Sequence, residues 1–323
     1  MNYIVVDLLG SDKGPSAILE GIDIVLKEFD NLGIATVGPR QEILNFIKEK
    51  NIDASRLEII DANDTVTNYD NPTECYFKKP DASIFQATKL LKSDDKYIGM
   101  ITVGNSGAVL MSALRFCAPP ALIRPCVAAI LPNAQKGFTC LVDTGATIDC
   151  TKGQLLSFAK LGRDFMRLTY KIDNPRIGLL SNGTEKTKGN HLVKETYPLL
   201  EADESLNFIG NVEGNKALAG LCDVLVCDGF AGNQVLKNSE GMAVQIITEM
   251  MKYGKMTGKE AVTGEIAQYL MKTFDFESLG GGIVLGAAKP IMKCRGSSGA
   301  KAIRNVAHII INMNENKSLY EGE

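Results

Sequence analysis

A chain of 323 residues can bury a large core, either as a single α/β unit over 1–323 or as two lobes around a cleft. Its 45% hydrophobic and 23% charged residues are those of an ordinary soluble globular protein, and a net charge of -3 argues against broad nucleic-acid binding. None of the eight cysteines forms a C-x-x-C or stands at zinc-ligand spacing with a histidine, so buried reduced thiols in a cytosolic protein are expected and no metal site is.

The chain opens on "NYIVVDLLGSDKGP", a strand with an acid after three apolar residues, which is not a signal peptide. The helix "SAILEGIDIVLKEF" follows, with Ile18, Ile22, Val25 and Leu26 on one face. Next come "GIATVG" with "RQEILNFIKEK", "YIGMITVGNSGA" with "VLMSALRF", and "TCLVDTGATIDC" with "GQLLSFAKLGRDFMRL". "RIGLLSNGTEKTKGN" then leads into "HLVKETYPLL", and "CDVLVCDGFAGN" into "QVLKNSEGMAVQIITEMMKYG". Strand, loop and helix in such alternation predict a mostly parallel sheet with helices on both faces, a three-layer α/β/α fold binding ligands at the carboxyl ends of its strands. Residues 239–276 read differently, as an inserted helical hairpin with apolar stripes through Met242, Ile246 and Met250 and through Ile266, Leu270 and Phe274. Such a hairpin packs a core or a dimer mate, or meets lipid. No run of about 18 apolar residues predicts a membrane span. Of the two histidines, His308 lies on a terminal helix and reads as structural, whereas His191 adjoins a glycine-rich tract.

Four strand-end loops share one composition: "GSDKGP" (10–15), "GNSGA" (104–108), "SNGTEKTKGN" (181–190) and "DGFAGN" (228–233). Each puts glycine where a ligand could approach the backbone, just before a helix start whose free N–H groups attract anions. Two amides, Asn105 and Asn233, occupy similar places, and together the loops suggest one anionic site. None is a G-x-x-x-x-G-K-[ST] phosphate loop or a full G-x-G-x-x-G with its acidic ribose partner, so ATP and NAD readings lose ground.

On these residues the chain resembles the bacterial phosphate acyltransferase (PlsX) family, acyl-[acyl carrier protein]:phosphate acyltransferases. The family's D-x-M-G-G-D-x-x-P is here "DLLGSDKGP", its G-N-T-G-A is "GNSGA", and its R-P is Arg124-Pro125. D-x-G-A-N-x-D is "DTGATID", G-T-E-x-x-K-G-N is "GTEKTKGN", and two further stretches appear as "FIGNVEG" and "CDGFAGNQVLK". There are departures: Ser11 stands for a glycine, Arg295 for a histidine, Gly299 for an aspartate, and His191 where the family usually carries an acid. The family's basic segment before the last strands is also less basic here. The resemblance implies a fold like isocitrate and isopropylmalate dehydrogenases and phosphotransacetylases, a homodimer, no cofactor, and a cytosolic enzyme loosely associated with the membrane. It implies that acyl carrier protein and inorganic phosphate are the partners, and that acyl phosphate is the product for phospholipid synthesis.

Phosphate is already a nucleophile and a thioester already activated, so such an enzyme must mainly position both reactants and stabilise an oxyanion. Asn182, Gly183 and Thr184 are expected to donate to phosphate and Lys188 to offset its charge. Asn105, Ser106 and Asn233 would complete the cradle or hold the thioester oxygen, while Asp12 and Asp228 orient donors, accept a proton, or simply cap helices. Gly10, Ser11, Gly104, Gly107, Gly189, Asn190, Gly229, Gly232 and Arg295 complete the expected binding set. Three rival readings share the fold: an acetyl-phosphate-forming subunit of a glycine reductase-type complex, a dehydrogenase, and a non-catalytic scaffold at the membrane surface.

Overall fold

The first strand, β1 (Asn2–Asp7), carries Ile4, Val5 and Val6 with no exposed surface on either face. A strand covered on both sides belongs inside a parallel sheet flanked by helices. The computed structural model describes residues 1–67, 69–117, 124–274 and 281–316. After β1 come α1 (Pro15–Glu28), β2 (Leu32–Gly38), α2 (Arg40–Lys50), β3 (Leu57–Asp61), α3 (Pro72–Lys78), α4 (Ser83–Ser93), β4 (Tyr97–Thr102) and α5 (Ser106–Phe116). The chain continues with β5 (Cys126–Pro132), β6 (Phe138–Val142), α6 (Lys152–Tyr170), β7 (Arg176–Ser181), α7 (His191–Ala202), β8 (Asn207–Glu213) and β9 (Val224–Val226). Then follow α8 (Gly229–Thr257), α9 (Glu260–Thr273), β10 (Gly282–Leu285), β11 (Ile291–Lys293) and α10 (Ala300–Asn316).

Two compact units divide these elements. The first comprises Met1–Ala128, Asp164–Asp173 and Glu277–Glu323; the second comprises Ala129–Arg163 and Asn174–Phe276. In the first, the strands run β3-β2-β1-β4-β11-β10. All neighbours there are parallel except β10 and β11. Val5, Val37, Phe85, Leu91, Met100 and Val109 form its core between the sheet and α4 and α5. On α1, Gly21 lets α10 approach, since a Cβ there would lie 2.6 Å from Ile303 Cβ. Glu28 at the end of α1 accepts from Arg304 at 2.6 Å and stands 2.8 Å from His308 Nε2, which matches the structural reading of His308.

In the second unit the order is β5-β6-β9-β7-β8, with β6 and β9, β9 and β7, and β7 and β8 parallel. Leu131, Leu141, Val212 and Leu225 fill its core. The hairpin expected over 239–276 is present but starts earlier. α8 begins at Gly229, because "DGFAGN" is a cap and first turn rather than a loop before a later helix: Asp228 accepts from Ala231 N at 2.8 Å. Gly258, at φ 67, ends α8 in the left-handed region that glycine favours. Residues 275 and 276 of the expected hairpin lie outside the described residues. Gly254 lets α8 and α9 close on each other, since a Cβ there would lie 2.0 Å from Thr263 Oγ1.

Candidate functional site

In the first unit, strand order reverses between β1 and β4, the position where open α/β sheets leave a crevice at the strand ends. The loops after these strands touch there: Gly10 has φ +93, and a Cβ on it would lie 2.8 Å from Gly104 Cα. Beneath them is Asp7, 1% exposed. Its Oδ1 accepts from Leu9 N at 3.2 Å, and its Oδ2 from the Thr102 hydroxyl at 2.8 Å. Thr102 Oγ1 in turn accepts from Gly104 N at 3.0 Å, so one carboxylate ties down both glycine loops. Burial pushes the Asp7 carboxyl up to about 6, against the opposing pull of Ser83, Thr102, the Leu9 N–H and Lys293. Lys293, at the end of β11, is lowered by burial, against the charges of Asp7 and Asp12.

Around this tie the expected residues separate into roles. Asp12 N donates to Gly296 O at 2.9 Å and Ser11 Oγ to the same oxygen at 3.3 Å, which brings the first loop against the residue following Arg295. Asp12 does not cap α1, whose N-cap is Gly14. Arg295 is half-buried, and desolvation lowers its pKa. Asn105 caps α5, accepting from Ala108 N at 3.0 Å and donating to Thr67 O at 3.2 Å. Ser106 and Gly107 form the first turn of α5.

In the second unit the matching anchor is Asp143, fully buried after β6. It accepts from the N–H groups of Gly145, Ala146 and Thr147 at 3.2, 3.1 and 2.7 Å. The loop so held packs on the start of α8. A Cβ on Gly232 would lie 1.9 Å from Asp143 O, and one on Gly229 2.7 Å from Thr147 O, so both glycines are contact points for backbone. Asn233 Nδ2 donates to Thr144 O at 3.1 Å. The Lys188 loop closes on itself: Asn182 Oδ1 accepts from Gly189 N at 2.8 Å, and Lys188 N donates to Glu185 O at 3.0 Å. Gly183 lies under the Lys188 stem, and Asn190 caps α7 through Val193 N at 2.9 Å. Thr184 and Lys188 are exposed, and the Lys188 ammonium makes no ion pair among the described residues. The Oγ atoms of Thr147 and Ser181 are buried without a hydrogen-bond partner among the described residues.

A cavity of about 750 Å³ opens where α6, α7 and α8 begin. Asn190 and Asp228 line it, together with Ile148, Leu192 and Phe230, the polar Asp149, Cys150 and Thr151, and the Lys152, His191 and Glu195 side chains. Glu195 stands 3.7 Å from both Lys152 and His191. Among the described residues no group of three or more His, Cys, Asp or Glu is placed to hold a metal ion.

Three anchors escaped sequence reasoning: Asp7, Thr102 and Asp143. Each is a polar residue at the end of an apolar run and is buried, with at least one hydrogen bond to the loop that follows it. An acid or hydroxyl closing a buried strand just before a glycine loop is the signal that would have found them.

Residues 3–318 match the family described as fatty acid synthesis protein. A curated phosphate acyltransferase from Dictyoglomus turgidum is 34% identical over 99% of this chain and 97% of its own length. Another, from Aquifex aeolicus, is 37% identical over 99% and 96%. Among solved structures, a phosphotransacetylase from Streptococcus pyogenes shares the fold, with a TM-score of 0.65 at 19% identity over 98% of this chain and 94% of that one. A 4-hydroxythreonine-4-phosphate dehydrogenase from Klebsiella pneumoniae shares it at a TM-score of 0.55 and 12% identity, covering 97% and 99%.

Proposed function

The chain belongs to the fatty acid synthesis protein family that contains the phosphate acyltransferases, and from that premise we propose that it moves the acyl group of an acyl-[acyl carrier protein] onto inorganic phosphate. A phosphate oxygen attacks the thioester carbonyl, the carbon–sulfur bond breaks, and acyl phosphate and the free carrier thiol leave, with no covalent enzyme intermediate. The enzyme's share is positioning and charge stabilisation. The observation that carries this reading is Lys188. Its ammonium has no ion-pair partner among the described residues, and it sits on a self-closed loop ending at the N-terminus of α7. That is where a doubly charged anion gains from both the cation and the helix dipole. Gly183 and Thr184 supply neighbouring donors for phosphate. Asp228 is engaged as the cap of α8, and Asn233 holds the Thr144 carbonyl, so both serve the site by fixing backbone.

The deciding assay is phosphate-dependent release of free thiol from long-chain acyl-[acyl carrier protein], run beside acetyl thioesters. Turnover with the long chain, and a much higher phosphate requirement in Lys188→Ala, is the expected result. Turnover confined to acetyl thioesters would favour the acetyl-phosphate-forming branch, and none with any thioester would favour a scaffold.

The product is amphipathic and feeds phospholipid synthesis. The protein acts as a homodimer that touches the membrane loosely through the tip of the α8–α9 hairpin. Met256 at that tip is 84% exposed, and Lys255 and Lys259 flank it. Lys252 is engaged with Glu249 at 2.8 Å, which leaves the other two lysines to gain about 1 kcal/mol each near an anionic leaflet. No helix among the described residues is long and apolar enough to cross a membrane. Flotation with anionic vesicles, compared between the parent and a variant with glutamate at 252, 255 and 259, tests the contact. Equal flotation would remove it, and sedimentation of both proteins reports the dimer.

A further inference from the structure

We propose that the cavity at the starts of α6, α7 and α8 receives the pantetheine-type arm that carries the thioester, an uncharged amide chain with an apolar branched carbon. The proposal rests on the acyl-transfer reading above and assigns one reactant to one place.

The lining is the argument. At about 750 Å³ the cavity falls within the range of roughly 300–1,000 Å³ typical of sites for small organic ligands. Its apolar walls are Ile148, Leu192 and Phe230. Ile148 and Phe230 are 54% and 60% exposed, so two of its walls offer apolar surface that a bound arm would cover. Its charges do not favour free phosphate. Asp149, Glu195 and Asp228 line it against the Lys152 ammonium, and Glu195 lies 3.7 Å from both Lys152 and the His191 ring. Three carboxylates repel a dianion, yet they accept well from amide N–H groups. A neutral arm with amide donors and an apolar centre fits that mixture. The cavity also adjoins the proposed phosphate loop, since Asn190 lines it two residues after Lys188. An arm lying there brings its thioester towards the loop that holds the nucleophile. The strand-end loop supplying Ile148 also carries the Thr147 hydroxyl, buried without a hydrogen-bond partner among the described residues.

Ile148→Ala and Phe230→Ala trim exposed side chains, so both variants should fold. Steady-state kinetics with an S-acyl-pantetheine and with inorganic phosphate should show a KM for the thioester raised roughly tenfold, as expected for losing the cover of one large apolar side chain. The phosphate KM should stay near the parent value. An unchanged thioester KM, or an equal rise in both, overturns the assignment while leaving the acyl-transfer reading intact. If the parent makes no acyl phosphate from any thioester, that reading fails and binding decides the cavity alone. Cys150 lines it and is the one cysteine of the eight that is not buried, so its alkylation rate is a local reporter. A thioether analogue of the acyl arm should slow alkylation of Cys150 in the parent and not in Phe230→Asp. Absence of protection at saturating analogue overturns the proposal.

Discussion

Both units anchor a glycine loop with a buried aspartate at or just past the end of a strand, yet they do so in opposite ways. Asp143 spends its carboxylate on three N–H groups of a single loop, and that loop is then pressed backbone to backbone against the start of α8. Asp7 spends its carboxylate on one N–H and one hydroxyl, and through the hydroxyl it reaches a second loop on another strand. The first arrangement is saturated by local hydrogen bonds. The second is a relay with fewer direct donors, and burial without enough donors leaves the charged form costly. The difference shows two routes to a rigid loop: packing that tolerates no added atom, and a shared polar node that stays sensitive to protonation.

The packing route breaks most severely. Gly232→Ala places a Cβ 1.9 Å from Asp143 O, where the obstacle is main chain and cannot rotate away. The expected cost is about 3 kcal/mol or more, read as a lower midpoint in urea unfolding. Gly10→Ala in the relay unit meets Gly104 Cα at 2.8 Å and forces a side chain into φ +93. It should cost less, about 1–3 kcal/mol, because Gly10 is exposed and can shift away from the buried Gly104, whereas Gly232 is buried in the first turn of α8. A Gly232→Ala protein as stable as the parent would show that the α8 junction is loose and the contrast false.

The relay route breaks through pH. Asp7 binds its proton more tightly folded, at about 6, than unfolded, at about 4. Its contribution to stability is therefore complete below the unfolded value and is lost as pH rises through the folded one. The difference amounts to about 2–3 kcal/mol for this fully buried group. Unfolding free energies measured from pH 4 to pH 7 should fall across that window by this amount relative to Asp7→Asn, in which the slope disappears. An identical slope in the two proteins would place the titration elsewhere and reduce Asp7 to an ordinary hydrogen-bonding residue.

What the sequence revealed of this contrast depended on chain distance. The alternation of apolar runs and glycine turns was enough for the mostly parallel sheet, since Ile4, Val5 and Val6 or Val224, Leu225 and Val226 can only be strands covered on both faces. The segment from β3 to α4 was silent: β3 has no fully buried residue and α3 is only seven residues long, so neither leaves a strong periodic trace. In the hairpin, the glycines of "DGFAGN" read as a loop although tertiary packing against Asp143 is what demands them. The glycine loops themselves were visible as composition. Their anchors were not, because Thr102 and Asp7 are 95 residues apart and become partners only when β1 and β4 pair. The shape of the loop carrying Lys188 is local for the opposite reason: it is closed by neighbours such as Asn182 and Gly189, so nearby sequence carries nearly all of its geometry.

The smallest expected effect compares the two amides that occupy similar places in the sequence. Asn105 sits in the relay unit and does two jobs: it caps α5 through Ala108 N and donates to Thr67 O. Asn233 sits in the packed unit and donates to Thr144 O, a carbonyl in a loop that Asp143 already holds by three hydrogen bonds. Removing Asn105 therefore costs a cap, about 1 kcal/mol, and also frees the Thr67 segment. Asn105→Asp separates these: the carboxylate keeps the cap and loses the donor, so stability should return towards the parent while the Thr67 segment stays loosened and exchanges its amide hydrogens faster. Asn233→Ala should cost about 0.5–1.5 kcal/mol for one hydrogen bond, with hydrogen exchange in 143–147 unchanged, because the aspartate does the holding. If exchange in 143–147 accelerates as much as exchange around Thr67 does in the Asn105 variants, Asp143 is not sufficient on its own. The second loop would then be a shared node like the first.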